Sequence, residues 1–154
     1  MRRSAGDLRG VAQTMENLGV VSAMEGHQER ARNYFRPCLD LYRQLGDKMG
    51  VAGTVRFLGQ LTYLDGDYEG AKQLLEECLW LEPELGSVQR VAEALGFLGI
   101  IARGAGRVAD ARALYRESLA TYAQAGNPAG ADDILRRLLD LEPLSDSKAA
   151  GRRP

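Results

Sequence analysis

The feature that most constrains this chain is an internal repeat. Written in rows of 40 residues from Gly10, positions 10–49, 50–89 and 90–129 align without a gap. Eight columns are identical in all three rows. They are Val11/Val51/Val91, Ala12/Ala52/Ala92, Leu18/Leu58/Leu98, Gly19/Gly59/Gly99, Gly26/Gly66/Gly106, Ala31/Ala71/Ala111, Leu39/Leu79/Leu119 and Gly46/Gly86/Gly126. A fixed period of this length marks a chain of stacked supersecondary units, not one globular core. It also accounts for the glycine content. Thirteen of the 18 glycines stand in four period-40 columns, 6/46/86/126, 10/50/130, 19/59/99 and 26/66/106. The 19/59/99 column is expected to allow close helix packing, and the other three to end helices and turn the chain.

Each row reads as two helices. In the first row Val11, Met15, Leu18, Val21 and Ser22 recur at spacings of three and four, one face of a helix over about 11–24. Gly26 follows as a turn. A second helix is expected over about 28–45, with Ala31, Tyr34, Phe35, Cys38, Leu39 and Tyr42 turned inward and Gly46-Asp47 as its stop. Asp47, Ser87 and Asn127 share a column and suit an N-cap. Pro37 falls inside the second helix and predicts a local kink. No segment alternates with period two long enough to make a strand. Residues 1–9 read as the tail of a preceding row, because Gly6-Asp7 stands one period before Gly46-Asp47. After the third row, 130–142 reads as a single closing helix, with Leu139 where the rows have glycine, and 143–154 as a disordered tail.

The paired-helix row resembles the tetratricopeptide repeat. The residues that carry the resemblance are Leu58-Gly59, then Gly66-Asp67-Tyr68-Glu69-Gly70-Ala71, then Leu79, Leu81 and Pro83. The unit here is 40 residues rather than about 34, so the second helix or its following loop is longer. The resemblance implies an all-α fold, a right-handed α-solenoid of stacked antiparallel helix pairs. It implies a non-catalytic protein–protein interaction module that binds a peptide or helix in its concave groove. The groove-lining positions on the first helices are Gln13, Glu16, Asn17 and Val20 in row one. They are Arg56, Phe57, Gln60 and Tyr63 in row two, and Glu93, Phe97, Ile100 and Arg103 in row three. Phe57 and Phe97 share a column and have the composition of interface hot spots beside Arg56 and Tyr63; packing between helices is their other reading. Chaperone-binding members of the family hold a C-terminal carboxylate with Lys, Asn and Arg. The matching positions here are Glu16, Val20, Arg56, Gln60, Gly96 and Ile100, of which only Arg56 and Gln60 suit a carboxylate.

Composition narrows the functional classes. Hydrophobic residues make up 45% and the net charge is −1, which speaks against disorder and against nonspecific nucleic-acid binding. No apolar run of about 18 residues spans a membrane, and Met1-Arg2-Arg3 leads into Ser4-Ala5-Gly6-Asp7 rather than an apolar signal stretch. A cytoplasmic protein is expected. His27 has no ligand partners in the pattern and reads as a solvated turn residue; no metal and no cofactor are expected. Cys38 and Cys78 lie one period apart, with Ser118 completing the column, and read as small packing residues. The carboxylates Glu69, Glu76, Glu77, Glu82 and Glu84 spread around a helix surface, and no catalytic set assembles. Two alternatives to a free-standing binding module remain. One is a regulatory or sensor fragment of a larger bacterial transcriptional or signalling protein. Arginine supplies all but three of the 20 basic residues, in keeping with a GC-rich bacterial source. The other is a self-associating scaffold, a second copy docking on the open N-terminal face.

Overall fold

In a computed structural model, which describes residues 4–85 and 87–141, every regular element is a helix. The helices are α1 (Ala5–Met24), α2 (Gln28–Leu45), α3 (Lys48–Leu64), α4 (Tyr68–Leu85), α5 (Val88–Gly104), α6 (Val108–Ala125) and α7 (Pro128–Leu141). They pair as hairpins α1–α2, α3–α4 and α5–α6, one per row, followed by the single helix α7. The chain divides into two compact units, one holding α1–α4 and the other α5–α7. The first stacks its two hairpins through α2 and α3, and the second packs α6 on α7. The extra length of the 40-residue unit lies in the helices: only Gly46 and Asp47 separate α2 from α3. Pro37 sits within α2, which continues through it from Gln28 to Leu45. The expected tail from 143 onward lies outside the described residues.

The turn chemistry follows the columns. Gly46 and Gly126 end α2 and α6 in the left-handed conformation, at φ 64° and 68°. Asp47, Ser87 and Asn127 then cap the next helix by accepting from the backbone N–H of Gly50, Arg90 and Gly130 at 3.0, 3.2 and 3.1 Å. The first row departs from this pattern. Ser4, not Asp7, caps α1, accepting from the Asp7 N–H, and the Asp7 carboxylate accepts from the Ser4 N–H in return. This capping box starts the helix at Ala5, so residues 5–9 form the opening turns of α1.

Within each hairpin the Gly19/Gly59/Gly99 column is the contact point. A Cβ at Gly19 would lie 2.7 Å from the Phe35 ring, and one at Gly99 2.5 Å from Tyr115; at Gly59 it would overlap Leu75. Phe35, Leu75 and Tyr115 are one column, so a large side chain fills the same notch in each hairpin. One turn away, the column of small residues ties the second helix to the first. The Cys38 thiol donates to the Ala12 carbonyl at 3.3 Å, and the Ser118 hydroxyl to the Ala92 carbonyl at 2.7 Å. In α7 Leu139 stands in the glycine column and is exposed.

The 10/50/130 glycines correct an expectation. They end no helix but lie inside the first turns of α3 and α7 and within α1. Gly50 makes room for the Tyr42 ring of α2 and Gly130 for the Tyr122 ring of α6. Two apolar positions of α1 also differ from the reading of one buried face. Ala12, Gly19 and Ser22 are buried, whereas Leu18 and Val21 are 43% and 51% exposed.

Candidate functional site

The groove positions on the first helices fall into two sets, one on α1 and α3 and one on α5, and each is described within its own unit. On α1, Gln13 and Asn17 are exposed, and Glu16 and Val20 are half-buried. Glu16 is engaged: one carboxylate oxygen accepts from the Tyr42 hydroxyl at 2.7 Å, and the other lies 3.3 Å from where Gly53 would carry a Cβ. That contact turns this side of α1 toward α3. It also pushes the Tyr42 hydroxyl pKa up, since burial and the adjacent carboxylate both disfavour a phenolate.

On α3, Arg56, Phe57, Gln60 and Tyr63 are all half-buried. Phe57 stacks on the buried Phe35 of α2, with ring centroids 5.2 Å apart and planes 4° from parallel. The Arg56 guanidinium carbon lies 5.3 Å from the centroid of the Phe57 ring. The two readings of Phe57 therefore meet in one side chain: it packs between helices and keeps part of its surface in solvent. Tyr63 leans on Tyr68 at the start of α4, centroids 5.6 Å apart, which ties it to its own hairpin turn.

On α5, Glu93, Phe97 and Ile100 are half-buried and Arg103 is exposed. Glu93 accepts from the Gln89 side-chain amide at 3.3 Å. The neighbouring Gly96 gives room to Ile134 of α7 and to the Ser118 hydroxyl; a Cβ there would lie 2.7 Å and 3.2 Å from them.

The remaining candidates for chemistry are structural. His27 is an exposed turn residue 3.4 Å from the Glu25 carboxylate. Cys38 and Cys78 are buried free thiols, and burial pushes the Cys38 pKa up to about 11. No described helix is long and apolar enough to cross a membrane. Sequence reasoning passed over Arg32. It is buried at the α2–α3 joint, donates to the Leu61 carbonyl at 3.2 Å and pairs with the Asp65 and Glu29 carboxylates. Its signal was present as a basic column, Arg32/Lys72/Arg112, on the inward side of the second helices.

Helical hairpins in tandem, with a glycine notch and a facing bulky residue in each, define an all-α repeat protein of the solenoid class. Comparison with known proteins points to a family. A tetratricopeptide repeat model matches residues 11–45 and 91–125, which together with the structural neighbours supports a tetratricopeptide repeat protein. The matched segments are the first and third rows; the second row, which carries the Gly66-Asp67-Tyr68 stretch, is not among them. No curated protein matches the sequence. Among solved structures, the TPR domain of Arabidopsis FLU superposes with a TM-score of 0.71 at 20% identity, over 76% of this chain and 98% of that one. The N-terminal domain of stress-induced protein-1 from C. elegans gives 0.68 at 12% identity, over 88% and 98%. The TPR2AB domain of yeast Sti1, solved in complex with pHSP90, gives 0.69 at 17% identity, over 92% and 49%.

Proposed function

We propose that this protein is a non-catalytic interaction module and that its α1–α3 face binds a peptide or helix of a protein partner. The observation that carries the reading is the Phe35–Phe57–Arg56 stack. Phe57 stacks on a buried ring and keeps part of its surface in solvent, with a guanidinium beside it. Aromatic and arginine side chains with little freedom left to lose are what dominate binding at interfaces. Gln13, Asn17, Val20 and Gln60 supply the rim. Glu93, Phe97, Ile100 and Arg103 are the corresponding contacts of the second unit. The solved Sti1 complex supports the class of function, since that relative of the same fold is recorded with a bound partner. The buried free thiols fit a reducing compartment, and we place the protein in the cytoplasm.

Affinity capture with the wild-type chain and Arg56→Glu tests the reading. The wild type is expected to retain a partner that Arg56→Glu loses while its thermal unfolding stays the same. Phe57→Ala is expected to lose the partner too, together with some stability from the broken stack. Equal capture by both folded variants places binding elsewhere.

A further inference from the structure

Glu16 and Gly53 follow from no column of the repeat, and the fold brings them together. The Glu16 column reads Glu16, Arg56, Gly96, and the Gly53 column reads Gln13, Gly53, Glu93. A Cβ at Gly53 of α3 would lie 3.3 Å from Oε1 of Glu16 on α1.

Glycine inside a helix lowers stability, because it gives up more backbone freedom on folding than alanine does. The other two glycines of α3 each make room for a side chain of a neighbouring helix. Gly50 takes the Tyr42 ring and Gly59 takes Leu75. At Gly53, within the first unit, only the Glu16 carboxylate oxygen comes within 4 Å of where a Cβ would be. The result is a notch with bare backbone as its floor and a carboxylate oxygen as its wall.

That wall is held in place. Tyr42 is 2% exposed with its ring on Gly50, and its hydroxyl donates to Oε2 of Glu16 at 2.7 Å. The bond occupies one carboxylate oxygen and leaves Oε1 beside Gly53. A tyrosine hydroxyl is neutral, so it does not cancel the charge. Arg9, the one basic residue of α1, pairs with Asp47 at 3.4 Å instead, and no cation among the described residues pairs with Glu16. The charge is felt inside the unit: burial first, and then this carboxylate, push the Cys38 and Tyr42 pKa values up.

A half-buried, oriented carboxylate with an open oxygen is complementary to a cationic donor, and its fixed geometry leaves little to be ordered on binding. We infer that the notch receives a lysine or arginine side chain of the partner peptide. The aliphatic stem lies over the bare Cα of Gly53 and the charged head donates to Oε1 of Glu16. The inference rests on the α1–α3 reading and deepens it, by naming a basic residue as what the partner brings.

The test starts from a phage-displayed library of random peptides panned on the full chain. Peptides that Phe57→Ala fails to capture, while circular dichroism shows it folded, are ligands of this face. These ligands are expected to share a basic residue at one position. Replacing it with alanine should weaken binding about tenfold in fluorescence anisotropy, as for loss of a hydrogen bond between charged groups. Against Glu16→Gln, which keeps an acceptor for the Tyr42 hydroxyl, the basic and alanine peptides should bind alike. Gly53→Leu, which fills the notch, should also remove the difference between them. Ligands of this face that share no basic residue overturn the inference and leave the face standing. So does a basic residue that matters as much to Glu16→Gln as to the wild type. Peptides that Phe57→Ala still captures, or a library without binders, overturn the reading of the face and the inference with it.

Discussion

The Tyr42 ring lies so closely over Gly50 that a methyl group there would overlap it. Gly10, one row earlier, faces open space. The same substitution therefore has opposite signs at two positions of one column. Gly50→Ala is expected to cost about 1–3 kcal/mol through overpacking. Gly10→Ala is expected to stabilise by about 0.5–1 kcal/mol, because alanine loses less backbone freedom in a helix. Urea unfolding of the two variants measures both; a loss of stability in Gly10→Ala would show that the outer face of α1 is already covered.

Arg32 joins the two hairpins of the first unit. Its guanidinium is buried, but Asp65 and Glu29 keep one side in water. Removing the cation strands no buried charge, so the loss is that of its charge-assisted bonds. Arg32→Ala is expected to cost about 2 kcal/mol. Asp65→Asn, which keeps an acceptor for the same donor, should cost less than half of that. Chemical denaturation of both variants gives the comparison, and a larger loss in Asp65→Asn would contradict it.

The raised ionisations of Cys38 and Tyr42 set a pH limit on stability. For an acid that is neutral when protonated, a folded pKa above the unfolded one means that folding favours the protonated form. The stability is present below the unfolded thiol value of 9.0 and is lost as pH rises toward about 11. Tyr42 acts in the same direction at higher pH. Unfolding midpoints are expected to be flat from pH 7 to 8.5 and to fall from pH 9 upward. Cys38→Ser, which has no titrating thiol and can still donate to the Ala12 carbonyl, should flatten the first part of that fall.

The repeat made the hairpins readable from the residues alone, because a glycine and a bulky partner recur in fixed columns. The span 28–45 for α2 and the caps at Asp47, Ser87 and Asn127 follow from that. What the sequence hid depends on a neighbour's presence. Leu18 and Leu58 are the same residue in the same column, and only α2 decides that one is buried. Gly10 and Gly50 looked like helix ends because glycine serves both as a terminator and as a seat for an aromatic ring. At the candidate site, the residue types of Arg56 and Phe57 were legible, but the stack on Phe35 required the fold.

The most direct measurement of the central claim, that the α1–α3 face binds a protein partner, is site-specific photo-cross-linking. A photoreactive amino acid is placed at Gln60, on that face, or at Trp80, an exposed position of α4. A discrete cross-linked partner is expected from position 60 that Arg56→Glu removes, and none from position 80. A partner captured from position 80 and not from position 60 would contradict it.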